Sequence, residues 1–273
     1  ADAVENRQLY ELERYIFKKT DAKEPVPAGG AELKYGCYAL IGIHSCEEDP
    51  LEFAGISLDA EKAAGALKLS DRFFPFYEAG GSKHCYVAIG ADDTETLKAD
   101  CQSFCETLRN ESKAEIKLCY TVSESEALTG LKERNDLAFL RRFICDDAVF
   151  ADEEPVINQT ELRNSIIGSY ETFANIIKNI SQQNDAGIQS DLAELSRATF
   201  SEDNIRRCGY AGLKTLFIEF FANLNAVFNH YSKERTKIID SEILSGEVLH
   251  DFDDNAQLNN FIQNIISSGI SKK

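Results

Sequence analysis

The side chains best equipped for chemistry here are eight cysteines and four histidines, and their spacing limits what they could do. The cysteines are Cys37, Cys46, Cys85, Cys101, Cys105, Cys119, Cys145 and Cys208, and no two form a C-x-x-C pair. Zinc-ribbon and thioredoxin spacings are therefore absent. A Cys–His hydrolase would draw on His44 or His84 beside Cys46 or Cys85. Sequence adjacency argues against it, because a strand sends neighbouring side chains to opposite faces. Cys37, His44, Cys46, His84 and Cys85 would together offer soft ligands to zinc if the thiols stayed reduced, and an oxidising compartment removes them. No metal is expected on that reading. His230 and His250 sit in no H-E-x-x-H motif. Counting Asp251 as the start of a calcium loop puts Ala256 where Gly is needed and Ile262 where Glu is needed, so the EF-hand fails. Asp253 or Asp254 reads instead as a helix cap. There is no G-x-S-x-G elbow and no phosphate-cradling glycine loop, so neither a catalytic residue nor a cofactor is expected.

The cysteine count carries a second expectation. Eight is even, the chain opens at Ala1 with no methionine anywhere, and three N-x-S/T sequons occur at Asn110, Asn158 and Asn179. Together these predict a secreted, extracellular or cell-surface glycoprotein held by disulfides. At least three bridges are expected, most of them within 31–123. Cys101 and Cys105 share a helical face opposite Cys37, Cys85 and Cys119. Cys145 and Cys208 are expected to pair with each other.

Composition narrows the partners. The chain of 273 residues has 43% apolar and 27% charged residues, an ordinary globular balance, with a net charge of −17. That charge repels nucleic acid and anionic membrane. No apolar run approaches the roughly 20 residues of a membrane span, so no transmembrane segment is expected.

The elements that would position these groups change character near residue 123. Residues 2–19 pattern as an amphipathic helix with Leu9, Leu12, Ile16 and Phe17 on one side, ended by the Pro/Gly-rich stretch 23–30. Cys37–Gly42 and Cys85–Gly90 share the pattern C-Y-x-x-I-G, and Cys119-Tyr120 begins a third copy. Each reads as a strand, separated by helices over 59–69 and 93–109. The expected order is β-α-β-α-β with parallel strands and a loop through Phe73–Phe76. After residue 123 the pattern is helical: 124–150, then a helix capped by Asn158, then 188–198. A long helix from Ser201 to about 233 follows, then 242–250 and 255–267. The fold class is thus α+β and mainly helical. Residues 1–30 form a helix and linker, 31–123 a cysteine-rich, three-stranded α/β region, and 124–273 a bundle of about five helices.

The widest apolar face lies on the long helix, through Phe217, Phe220, Phe221, Leu224 and Phe228. It reads as bundle core, or as the lining of a pocket for a small apolar ligand. The functional expectation is a non-catalytic binding protein that takes another protein with a basic surface patch. A carrier of a small apolar ligand is the alternative. An extracellular enzyme with a site built from distant residues comes behind both.

Overall fold

The computed structural model describes residues 2–17, 33–46, 50–76, 83–150, 156–180, 185–231 and 239–271. The turn expected at 23–30, Gly80-Gly81 and the acidic stretch at 152–155 lie outside the described residues. The chain divides into two compact units, one of residues 1–139 and 147–154, the other of residues 140–146 and 155–273.

The first unit runs α1 (Asp2–Ile16), β1 (Cys37–Ser45), α2 (Pro50–Ala66), β2 (Phe73–Phe76), β3 (His84–Ala91), α3 (Thr94–Glu111), β4 (Ile116–Glu124), α4 (Leu131–Phe139) and β5 (Val149–Phe150). Its sheet has the order β2-β3-β1-β4-β5. β1 runs antiparallel to both β3 and β4, β2 antiparallel to β3, and β5 parallel to β4. β1-α2-β2 and β3-α3-β4 are therefore two split β-α-β units interleaved in one sheet, the ferredoxin-like order. This corrects the expected three parallel strands to a five-stranded mixed sheet. Phe73–Phe76 is a strand after all, and its Pro75 is tolerated because β2 lies at the sheet edge.

The repeated hexapeptides pair with each other. In the antiparallel register Tyr38 lies opposite Gly90 and Gly42 opposite Tyr86, so each tyrosine meets the glycine of the other copy. All nine residues of β1 are buried, because helices cover both faces. Cys37, Ala39, Ile41 and Ile43 pack with Ile56 and Ala60 of α2 and with Leu97 and Phe104 of α3. Tyr38 and Leu40 face the other way, against Leu12 and Ile16 of α1 and Leu131 at the start of α4. The helix expected over 124–150 is broken into a turn at Ser125–Ala127, α4, a turn at Leu140–Phe143, and β5. Gly130, with φ +82°, sets the sharp entry to α4.

The disulfide framework is corrected outright. No two cysteines stand at bridging distance, and all eight remain thiols. Cys37, Cys85, Cys101 and Cys105 are instead small apolar members of the core between sheet and helices. Cys145 and Cys208 are not bridged either. With the bridges gone, nothing in the fold supports secretion or glycosylation.

The second unit holds α5 (Gln159–Asn179), α6 (Asp185–Thr199), α7 (Glu202–Cys208), α8 (Leu213–Tyr231), α9 (Ser241–Ser245) and α10 (Asn255–Ser271). Asn158 and Ser201 cap α5 and α7 as expected, accepting hydrogen bonds from the backbone N–H of Glu161 and Asn204. Asp254 does the same for α10 through the N–H of Gln257, at 2.8 Å. The single helix expected from Ser201 is two, divided at Gly209. That residue has φ +80°, and a Cβ there would stand 2.3 Å from the carbonyl oxygen of Val156. Arg206 and Arg207 consequently lie in the last turn of α7, where their charge complements the helix dipole. Buried Arg142 donates to the carbonyls of Phe252 (3.0 Å) and Leu249 (2.6 Å) and covers the Phe143 ring at 4.5 Å. No helix among the described residues is long and apolar enough to cross a membrane.

Candidate functional site

The aromatic residues singled out on α8 are brought together, as packing. Phe217, Phe220, Phe221, Leu224 and Phe228 are all buried. Phe220 meets Phe173 of α5 at 5.2 Å and Phe200 at 5.1 Å, edge to face, and Phe221 lies 4.5 Å from Phe217. Phe228 fits against Gly269 of α10, where a Cβ would come within 2.2 Å of its ring. The sequon asparagines are scattered. Asn110 and Asn179 are exposed on α3 and α5, while Asn158 is engaged in its cap.

A polar cluster lies in the first unit where α4 meets the sheet. Tyr86 donates its hydroxyl to Asp136 at 2.5 Å, and Lys132 pairs with the other oxygen of Asp136 at 2.8 Å while lying over the Tyr86 ring. Next to Asp136 in the chain, buried Asn135 donates its amide to the carbonyls of Leu40 and Cys119 and to the Thr121 hydroxyl, each at 3.0 Å. Its Oδ1 has no hydrogen-bond partner among the described residues and points into the space above Gly42. A Cβ at Gly42 would lie 2.6 Å from that oxygen and 3.1 Å from His84 Nε2. Tyrosine, aspartate, lysine and histidine are general acid–base residue types. Here the first three bond one another where α4 meets β3, and Asn135 ties α4 to β1 and β4, together forming a clasp.

The sequence motifs around His44 and His84 are sorted by this face. His44 is directly opposite His84 in the β1–β3 register, and both face α4 together with Tyr86 and Phe139. Cys37 and Cys85 point into the core on the opposite face. Burial raises the thiol of Cys37, and that of Cys105 is pushed up to about 12, so neither is an activated nucleophile.

An open concavity lies in the second unit, between α5 and α6, with a volume of about 380 Å³. Each helix contributes residues at i, i+3, i+4 and i+7, the positions that share one helical face. Thr172, Asn175 and Asn179 of α5 and Asp191 and Glu194 of α6 make the polar walls. Ile176, Leu195 and Ala198 make the apolar part. No lysine or arginine lines it. Of these residues the sequence singles out only Asn179, and as a sequon asparagine rather than as part of a groove. Taken singly, α5 and α6 show a solvated polar face, and only their juxtaposition makes it concave.

Comparison with protein-family models, with curated proteins and with solved structures gave no match, so the residues themselves carry the functional reading.

Proposed function

We propose that this chain is a non-catalytic recognition protein whose helical unit binds a basic amphipathic helix of a partner protein in the α5/α6 groove. The groove itself is the observation that carries this reading. It is lined by two helical faces, partly apolar, and carries two carboxylates on the α6 side. Helix-in-groove recognition uses apolar side chains at i, i+3 or i+4 and i+7, and a groove between two helices offers matching rows. Asp191 and Glu194 then select lysine or arginine on the flank of the incoming helix. The net charge of −17 favours the approach of such a partner over an acidic one. Apolar contact supplies affinity, and the carboxylates supply orientation and salt dependence.

The test is calorimetric titration with an amphipathic Leu/Lys helical peptide of about 18 residues, five helical turns. Net charge alone must be separated from the groove. The double variant D191K/E194K is therefore compared with E95K/E106K, which makes the same charge change on exposed positions of α3. The groove variant is expected to weaken binding at least about tenfold, a difference of roughly 1.4 kcal/mol, with little change in the α3 variant. Equal losses in both variants would reduce the interaction to bulk charge and overturn the proposal.

A further inference from the structure

We infer that two copies of this chain pair through α5, antiparallel, about a two-fold axis beside Ile167. The inference is independent of the groove. Of the six large apolar side chains exposed among the described residues, four lie within residues 156–170: Val156, Ile157, Ile167 and Tyr170. On α5 the exposed Arg163, Ile167 and Glu171 form one row at i, i+4 and i+8, with exposed Tyr170 and Ala174 in the row beside it. At 3.6 residues per turn, this face is centred about 140° around the helix from the residues that line the groove. Single exposed apolar residues are ordinary, whereas a cluster of them rimmed by charge marks an interaction site.

Charge selects a second copy as the occupant. Arg163 stands four residues before Ile167 and Glu171 four after it, so the row is symmetric in position and opposite in sign about the isoleucine. Neither has a charged residue at i±3 or i±4 of α5 to pair with. They are about 12 Å apart along the axis, too far to pair with each other. A two-fold axis beside Ile167 reverses the helix onto itself and brings Arg163 of each copy to Glu171 of the other, twice in one interface. Interlocking of such i±4n rows crosses the helices at about −50°. Each charge then lies about 6 Å from the crossing point, within reach of arginine and glutamate side chains. Ile167 of each copy sits in the furrow between the two rows of the other, against the Tyr170 ring. The Tyr170 hydroxyl donates to Glu219 of α8, so that ring is held in place before the second copy arrives and loses little freedom on contact. One helix face is small for a permanent interface, so the dimer dissociates on dilution.

Sedimentation velocity of the full chain over roughly 1–200 μM reads this equilibrium, and the mass should rise toward twice that of one chain as concentration increases. Arg163→Glu and Glu171→Arg should each weaken association at least about tenfold, because each sets like charges opposite one another twice. The two change net charge in opposite directions, so a shared loss is not bulk repulsion. Mixed in equal amounts, the two variants should associate as the wild type does, since each then meets the opposite charge on the other. Ile167→Lys should abolish the dimer with the fold retained by circular dichroism, its side chain being exposed. A wild type that stays monomeric at every concentration, a charge variant or Ile167→Lys that associates as well as the wild type, or a mixture no better than its components overturns the pairing. The last result would assign the face to a partner of different sequence.

Discussion

The two units fill their centres differently, although both bury hydrogen-bonded polar side chains, Asn135 in the first and Arg142 and Asn204 in the second. The α/β unit brings polar side chains into its interior and commits them: Asn135 spends its amide on three acceptors, and Tyr86, Asp136 and Lys132 bond in series. The helical unit fills its centre with phenylalanine, joined edge to face from α5 through α8, and leaves its concave polar surface outside. Polar residues in the first unit specify which element docks on which strand. In the second, polar residues also line an open groove between α5 and α6. Residue types suited to catalysis are thus concentrated where they hold the fold together, while the concave surface of the helical unit is lined by residues of modest chemistry.

The contrast can be broken by mutation. The largest effect is expected in the aromatic centre. Phe220→Ala removes a ring packed on Phe173, Phe200 and Phe221 and should destabilise by about 3–5 kcal/mol in denaturant unfolding. A loss near zero would mean that the ring is not part of a closed core. Asn135→Ala comes next, at about 2–3 kcal/mol, because the carbonyls of Leu40 and Cys119 and the hydroxyl of Thr121 lose a buried donor together. If it costs no more than a surface change, the clasp is not what holds α4 in place.

Alkaline titration sharpens the same comparison. Burial raises the Cys105 thiol from its ordinary 9.0 to about 12 and the Tyr38 hydroxyl from 10.0 to about 12. The fold favours the neutral form of both, so their contribution is complete below pH 9 and is lost as pH rises toward 12. Stability should therefore fall with pH between about 9 and 12, and Cys105→Val should flatten the first part of that slope. The smallest effect is at a cap. Ser201→Ala removes the acceptor for the Asn204 N–H and should cost about 1 kcal/mol, read as a shift in the unfolding midpoint.

These elements also show what could be read from the residues alone. The caps Asn158, Ser201 and Asp254, the buried face of α8 and the strands at Cys37, Cys85 and Ile116 follow from local pattern, and each is present. Direction of pairing does not follow from local pattern. C-Y-x-x-I-G fits either a parallel or an antiparallel neighbour, and only the assembled sheet sets Tyr38 against Gly90. Phe73–Phe76 looks like a loop because Pro75 interrupts it, which an edge strand tolerates. Gly209 was invisible as a break because its constraint comes from Val156, distant in sequence. Cysteine number suggests bridges, yet number says nothing of distance, and six of the thiols are buried core side chains. The groove was hidden for a related reason: Asp191 and Glu194 look solvated until α5 is placed beside them.

Chemical-shift mapping of the isotopically labelled chain against the Leu/Lys peptide tests recognition in the α5/α6 groove most directly. Perturbations should concentrate on Thr172, Asn175, Ile176 and Asn179 of α5 and on Asp191, Glu194 and Leu195 of α6, and should shrink as salt is raised. Shifts spread evenly over the exposed acidic residues, or centred on the first unit, would contradict the account.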